Sequence, residues 1–195
     1  HLAAFAYAGE SINDPQKYYR NNLISTLDLL KTVLEFGVTK LVFSSSCAIF
    51  GECSSLITEN TPKIPINPYG RSKLMVEEIL KDYDRSYGLK SICLRYFNAA
   101  GADPSGVIGE SHNPETHLIP IAIQAAQGKG PDLVVFGKNH ETPDGSCIRD
   151  YVHVCDLAAA HVLAIEKLIA DERSQQFNLG YGQGHSIFEI IEMVE

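Results

Sequence analysis

Apolar residues along this chain fall into two patterns, runs at helical spacing and short unbroken blocks, and the two alternate. Tyr19, Leu23, Leu27, Leu30 and Leu34 recur at helical steps after Asp14-Pro15, a side-chain N-cap followed by proline at the first helical position. Gly37 supplies the residue that ends such a helix. Lys40 to Phe43 is then a short apolar strand of the kind buried on both faces, running into a polar loop at Ser44-Ser45-Ser46. After a Pro-, Asn- and Thr-rich loop, Asn67-Pro68 opens a second helix that reaches about Tyr87 and stops at Gly88. Ser91 to Arg95 is a second buried strand.

From Phe97 to Ser146 the pattern changes to loops rich in Gly, Pro, Asn and His, which predicts a smaller lobe or a set of insertions. A helix over Leu118 to Gln127 and a strand over Leu133 to Phe136 interrupt them. Val154 to Ala170 is apolar nearly all round and reads as a buried helix; Gln176 to Leu179 is a last strand, followed by a Gly-rich turn and a terminal helix. Strands alternating with long helices predict an α/β fold, a doubly wound parallel sheet, whose ligands bind at the carboxyl edge of the strands. The chain begins at His1 without a methionine and stops inside the apolar-periodic stretch Ser186 to Glu195, so a segment of a longer protein is expected.

Charge narrows the partners. With 24 acidic against 16 basic residues the net charge is −8, which argues against nucleic acid and against an anionic membrane surface. No apolar run is long enough to span a bilayer and no signal segment opens the chain, so a cytoplasmic protein is expected. Five cysteines without a CxxC pair predict buried reduced thiols rather than a disulfide framework or a zinc ribbon. The seven histidines lack paired metal-ligand spacing, no metal is predicted, and His153 and His161 read as core or capping residues.

The second helix carries the chemical anomaly. Its apolar stripe runs Val76, Leu80, Tyr83 and Tyr87, and the same stripe continued backward reaches Lys73 and Tyr69. Residues four apart on a helix are neighbours, and a cation beside a phenol favours the phenolate, so the pair can be a general base and its tuner. A bare Tyr-x-x-x-Lys reads first as a tyrosine and a snorkelling lysine at a helix start, and only its context favours chemistry. Gly70 in the first turn, whose missing side chain would admit a flat ligand, and the three serines at the strand end favour a site.

Ser44-Ser45-Ser46, Pro68-Tyr69-Gly70-Arg71-Ser72-Lys73, Leu94-Arg95-Tyr96-Phe97-Asn98 and Arg149-Asp150-Tyr151-Val152-His153 resemble, in this order, the motifs of the extended short-chain dehydrogenase/reductase family. Gly101 to Gly106 and Thr142-Pro143-Asp144-Gly145 bring the resemblance nearest to its members that invert C4 of UDP-hexoses. It implies that residues 1–98 are the C-terminal part of an NAD-binding Rossmann domain. Residues 99–195 would be mainly a nucleotide-sugar lobe, with 150–170 returning to pack on the Rossmann domain. The family's N-terminal Gly-rich turn would lie upstream of His1.

The resemblance implies that Tyr69 is the acid/base, that Lys73 holds the nicotinamide ribose and lowers the Tyr69 pKa, and that Ser46 hydrogen-bonds the reacting sugar hydroxyl. Leu2, Ala3, Ala4, Ala6, Asn21 and Phe97 would join these three in contacting NAD. Asn98, His117, Leu118, Val134, Phe136 and Arg149 would hold the UDP-sugar, Arg149 as the guanidinium fork for the diphosphate rather than as an ion-pair partner of Asp150. The family often has a lysine where this chain has Ala6, and a threonine and a tyrosine where it has Ala48 and Phe50. Dehydratases and decarboxylases of the family place a second acid/base just after the serines, where this chain has Cys47 and Ala48. A 4-epimerase acting on UDP-glucose and UDP-galactose through a 4-keto intermediate, as a homodimer, is therefore expected. Its alternatives are an epimerase for UDP-N-acetylglucosamine or UDP-pentose and a non-catalytic binding module. Gly180-Tyr181-Gly182-Gln183-Gly184 mimics a dinucleotide fingerprint, but His185 stands where its third glycine belongs, so a tight turn is expected there.

Overall fold

The structure, a computed structural model, describes residues 1–195 except Ser54 and Pro131. In chain order it runs through α1 (Ala8–Asn13), α2 (Pro15–Tyr18), a π-helical stretch (Tyr19–Ile24), α3 (Ser25–Glu35), β1 (Lys40–Ser46) and a 3-10 turn (Cys47–Ile49). Then come α4 (Pro68–Tyr87), β2 (Lys90–Tyr96), β3 (Asn98–Ala100), α5 (Leu118–Ala126) and β4 (Ile148–His153). The last elements are α6 (Val154–Asp171), β5 (Gln175–Leu179), β6 (Gly184–Ser186) and α7 (Ile187–Val194). Two compact units result, His1–Phe97 with Leu157–Leu179, and Asn98–Asp156 with Gly180–Glu195.

The first unit is built on a parallel sheet in the order β1-β2-β5, with Phe43 opposite Cys93 and Leu94 opposite Phe177. Alternate side chains serve opposite faces. Phe43 and Cys93 join Leu30 of α3 and Val76 and Leu80 of α4 in one buried layer. Ile92 and Leu94 join Ala164 and Leu168 of α6 in the other. Helices on both faces explain why the strands read as unbroken apolar blocks. His1 lies beside β1, its carbonyl accepting the Ser44 N–H at 3.1 Å.

Helix caps follow the sequence closely. Asp14 accepts the Lys17 N–H at 3.1 Å, and Asn67 accepts the Gly70 N–H at 2.8 Å. Gly37 (φ 68°) closes α3, with its own N–H on Leu34 and that of Val38 on Val33. Between the caps the first helix keeps part of the expected face and adds buried positions to it. Leu30 is buried and Leu23 and Leu34 pack against the core as expected, but Leu27 is exposed, and across the π-helical stretch Tyr18, Asn22 and Thr26 are the fully buried positions, two of them polar. Thr26 is satisfied by donating to the Asn22 carbonyl at 2.8 Å.

Four other expectations need correction. Ser44, Ser45 and Ser46 are not a loop but the buried end of β1, tolerated because each hydroxyl has a buried or local partner. Tyr87 is exposed and stacks edge-on against Tyr83 instead of extending the core stripe. Helix α6 buries Leu157, Ala164 and Leu168 only, leaving Val162, Leu163, Ile165 and Ile169 exposed. Leu133 to Phe136 keeps an alternating burial pattern but forms no ladder, so it is not a strand. Of the cysteines, all unbridged, Cys93 alone is buried.

The second unit pairs β3 with β4 in parallel and β4 with β6 antiparallel. A reciprocal capping box between Ser186 and Glu189 opens α7. Among the described residues no helix is long and apolar enough to cross a membrane.

Candidate active site

At the carboxyl end of β1 the strand hands over to the 3-10 turn, whose first N–H groups need an acceptor. Ser46 provides it, accepting the Ala48 N–H at 3.2 Å. The first turn of α4 lies against this corner, since a Cβ on Gly70 would stand 2.3 Å from the Ala48 carbonyl oxygen. The space left by the missing side chain is filled by the protein's own backbone, not kept open for a ligand, which corrects the sequence reading. This close approach seats Tyr69 near Ser46, close enough for that hydroxyl to favour the phenolate.

Lys73, one turn further along α4, is 4 % exposed. Its Nζ donates to the Ser44 carbonyl at 2.8 Å and stands 5.0 Å from the Phe43 ring centroid and 5.9 Å from that of Tyr69. Burial drives its pKa down to about 8. Burial likewise pushes Tyr69 up to about 12, against which the nearby Ser46 hydroxyl works in the opposite direction. The expected depression of the Tyr69 pKa by Lys73 is thus not met in the protein alone: loss of water outweighs the neighbouring ammonium, which is turned toward Ser44. Among the described residues Ser44 is the one hydrogen-bond acceptor of an ammonium with three donors, so Lys73 retains donors for a hydroxylated ligand. The site therefore fits a ribose at this position.

Beneath these residues lies a buried network that the sequence reading missed. Arg95 Nη2 donates to Glu77 Oε2 at 2.6 Å and Arg95 Nε to Glu77 Oε1 at 2.9 Å, both side chains being 1 % exposed or less. Ser45 Oγ completes the carboxylate shell at 2.5 Å. Glu77 stands four residues after Lys73 on one helix face, and Arg95 interrupts an apolar strand; those two breaks in pattern were the available signal.

Leu2 to Ala6 form the segment assigned to the cofactor. Leu2 is 70 % exposed, Ala3 and Ala6 are exposed, and Ala4 is half-buried. Asn22, not singled out from the sequence, clasps this segment: its Oδ1 accepts the Phe5 N–H at 2.8 Å and its Nδ2 donates to the Phe5 carbonyl at 2.9 Å. Asn21 backs the clasp, donating to Asn22 Oδ1 at 3.0 Å, and the Phe97 N–H is held by the Leu179 carbonyl.

In the second unit Asn98 Nδ2 donates to the Asp150 carbonyl at 3.0 Å, beside Arg149. Arg149 is exposed, bonds only the Ile148 carbonyl at 3.1 Å, and forms no ion pair among the described residues. Asp150 is engaged elsewhere, its carboxylate accepting the Tyr181 and Gly182 N–H groups at 3.1 and 2.8 Å. The Gly-rich turn is thereby filled by the chain's own anion, and β6 follows it where a dinucleotide fingerprint needs a helix. His117 is exposed, Leu118 half-buried, Val134 exposed and Phe136 98 % exposed; no described hydrogen bond joins them to Arg149.

A family model, the NAD dependent epimerase/dehydratase family, matches residues 1–180. The chain belongs to this family. Among curated relatives, this epimerase/dehydratase chain is 53 % identical over 194 residues to the UDP-glucose 4-epimerase of Halalkalibacterium halodurans, covering 99 % of itself and 58 % of that protein. Among solved structures it matches UDP-glucose 4-epimerase from Brucella ovis in complex with NAD at TM-score 0.94 and 53 % identity, over 98 % of this chain and 60 % of that one. The Bifidobacterium longum enzyme in complex with NAD+ and UDP matches at TM-score 0.91 and 41 % identity, over 98 % and 58 %. The chain thus spans about three-fifths of the length of the relatives it matches.

Proposed function

We propose that the full-length protein is a UDP-glucose 4-epimerase, inverting C4 of UDP-glucose and UDP-galactose through a transient 4-keto sugar with tightly bound NAD. The observation that carries this reading is the corner that gathers Ser46, Tyr69 and the buried Lys73, whose Nζ stands 5.9 Å from the Tyr69 ring centroid. The names of the relatives support it. Tyr69 takes the proton of the 4-hydroxyl and later returns it, while Ser46 orients that hydroxyl. NAD, when bound, would supply the acceptor for the C4 hydride and the source of its return to the opposite face, together with a positive ring that favours the Tyr69 phenolate. Lys73 directs its remaining N–H groups to the ribose, and Leu2, Ala3, Ala4, Ala6, Asn21 and Phe97 line the cofactor's nicotinamide half.

Asn98, His117, Leu118, Val134, Phe136 and Arg149 are proposed to hold the UDP-sugar, with the unpaired Arg149 on the diphosphate. Cys47 and Ala48 offer no second acid/base of the kind a dehydratase requires. A cytoplasmic homodimer completes the reading; light scattering on the full-length protein tests the oligomer. Conversion of UDP-galactose to UDP-glucose, followed by chromatography, tests the reaction, and accumulation of a 4-keto-6-deoxy sugar instead overturns it. Tyr69→Phe is expected to bind UDP-sugar nearly as the parent does and to lose about 10²- to 10⁴-fold in turnover, the usual contribution of an acid/base.

A further inference from the structure

We propose that Glu110, His112, Glu115 and His117 form a binding site for a divalent transition-metal ion, with Zn2+ favoured by the ligand set. One ligand atom from each residue lies within 4.8 Å of all the others. His112 Nδ1 and His117 Nδ1 are each 2.8 Å from Glu110 Oε1, and His117 Nδ1 is 2.8 Å from Glu115 Oε1. His112 Nδ1 is 3.9 Å from Glu115 Oε2. Zinc bonds to imidazole and carboxylate of about 2.0–2.1 Å place tetrahedral ligands roughly 3.4 Å apart, in the middle of these separations. Two imidazole nitrogens disfavour Mg2+ and Ca2+, which take oxygen ligands.

Charge points the same way. No lysine or arginine occurs between Arg95 and Lys129, and neither Glu110 nor Glu115 pairs with one among the described residues. The Glu115 side chain is only 12 % exposed. With no lysine or arginine paired to either among the described residues, a divalent ion would neutralise both carboxylates at once. The spacing Glu-x-His-x-x-Glu-x-His escapes a search for paired histidines because carboxylates separate the imidazoles. The site shares His117 with the proposed UDP-sugar contacts, and the ion would take Nδ1 of that ring. Zinc binding is read without nucleotide sugar, so its outcome is independent of the epimerase reading.

The test is titration of chelator-stripped full-length protein with Zn2+ alone, by calorimetry and by elemental analysis after desalting. One equivalent per chain is expected, with affinity lowered at least tenfold in Glu110→Gln/His112→Asn and unchanged in Cys147→Ser. The last variant addresses a separate donor pair, Cys147 Sγ and His140 Nε2 at 3.0 Å. Co2+ in place of zinc is expected to give visible d–d bands without a thiolate charge-transfer band. Absence of stoichiometric zinc, unchanged affinity in the loop double variant, or a thiolate band lost in Cys147→Ser overturns the proposal.

Discussion

Replacing Lys73 by methionine should stabilise the cofactor-free protein. The ammonium is held in a nearly water-free position with one carbonyl acceptor, and its pKa falls from 10.5 in the unfolded chain to about 8 in the fold. At about 1.4 kcal/mol per pH unit, keeping that proton through folding costs about 3 kcal/mol at pH 7. Below pH 8 both states carry the proton and the cost is complete. Between pH 8 and 10.5 the unfolded chain holds a proton that the folded chain has released, so this contribution turns more favourable as pH rises. Methionine fills the space of the lysine stem against Phe43 but leaves the Ser44 carbonyl without its partner, a loss of about 1 kcal/mol. The expected net gain is about 2 kcal/mol at pH 7, shrinking to nothing or reversing by pH 10. Urea denaturation of parent and Lys73→Met at both pH values measures it, and comparison with the parent cancels the opposite trends of Tyr69 and Cys93. A variant less stable than the parent at pH 7 would refute the argument that burial dominates this lysine.

Arg95→Met should lower stability by about 3–5 kcal/mol by stranding the Glu77 carboxylate, and adding Glu77→Met should restore most of it; equal stability of single variant and parent in urea would show the pair to be uncoupled. Gly70→Ala should destabilise by about 1–3 kcal/mol and lower turnover, since its Cβ displaces the Ala48 carbonyl and with it the turn carrying Ser46. A rise in melting temperature, as helix propensity alone predicts, would contradict that.

What the sequence makes legible here is what local chemistry decides. Asn67-Pro68 and Gly88 bound α4 because caps act within a few residues, and Tyr69 and Lys73 meet because helical spacing brings them together. Ser44 to Ser46 misled because their partners are remote: His161, Glu77 and the next turn satisfy hydroxyls that, read alone, mark a loop. Gly70 misled for a related reason, since close approach by another backbone segment leaves the same trace in sequence as room for a ligand. The Glu77–Arg95 pair bridges 18 residues, which no periodicity carries. Leu133 to Phe136 shows the reverse error, alternation without a neighbour to bond.

The π-helical stretch Tyr19–Ile24 also constrains how this segment can change length. An ordinary helix turns about 100° per residue, so one residue inserted into or removed from it swings everything on one side to a different face. Here the irregular turn holds Tyr18 and Asn22 inward on the same side as Leu30. A single-residue deletion between Tyr19 and Ile24 would give a more regular helix, yet rotate either the clasp on Phe5 or the packing of Leu30 out of place. Conversely, a deletion there paired with an insertion before Asp14 would keep the chain length and still lose the fold of this corner. Length is therefore the wrong measure of what this stretch tolerates; angular phase is the quantity it has to conserve.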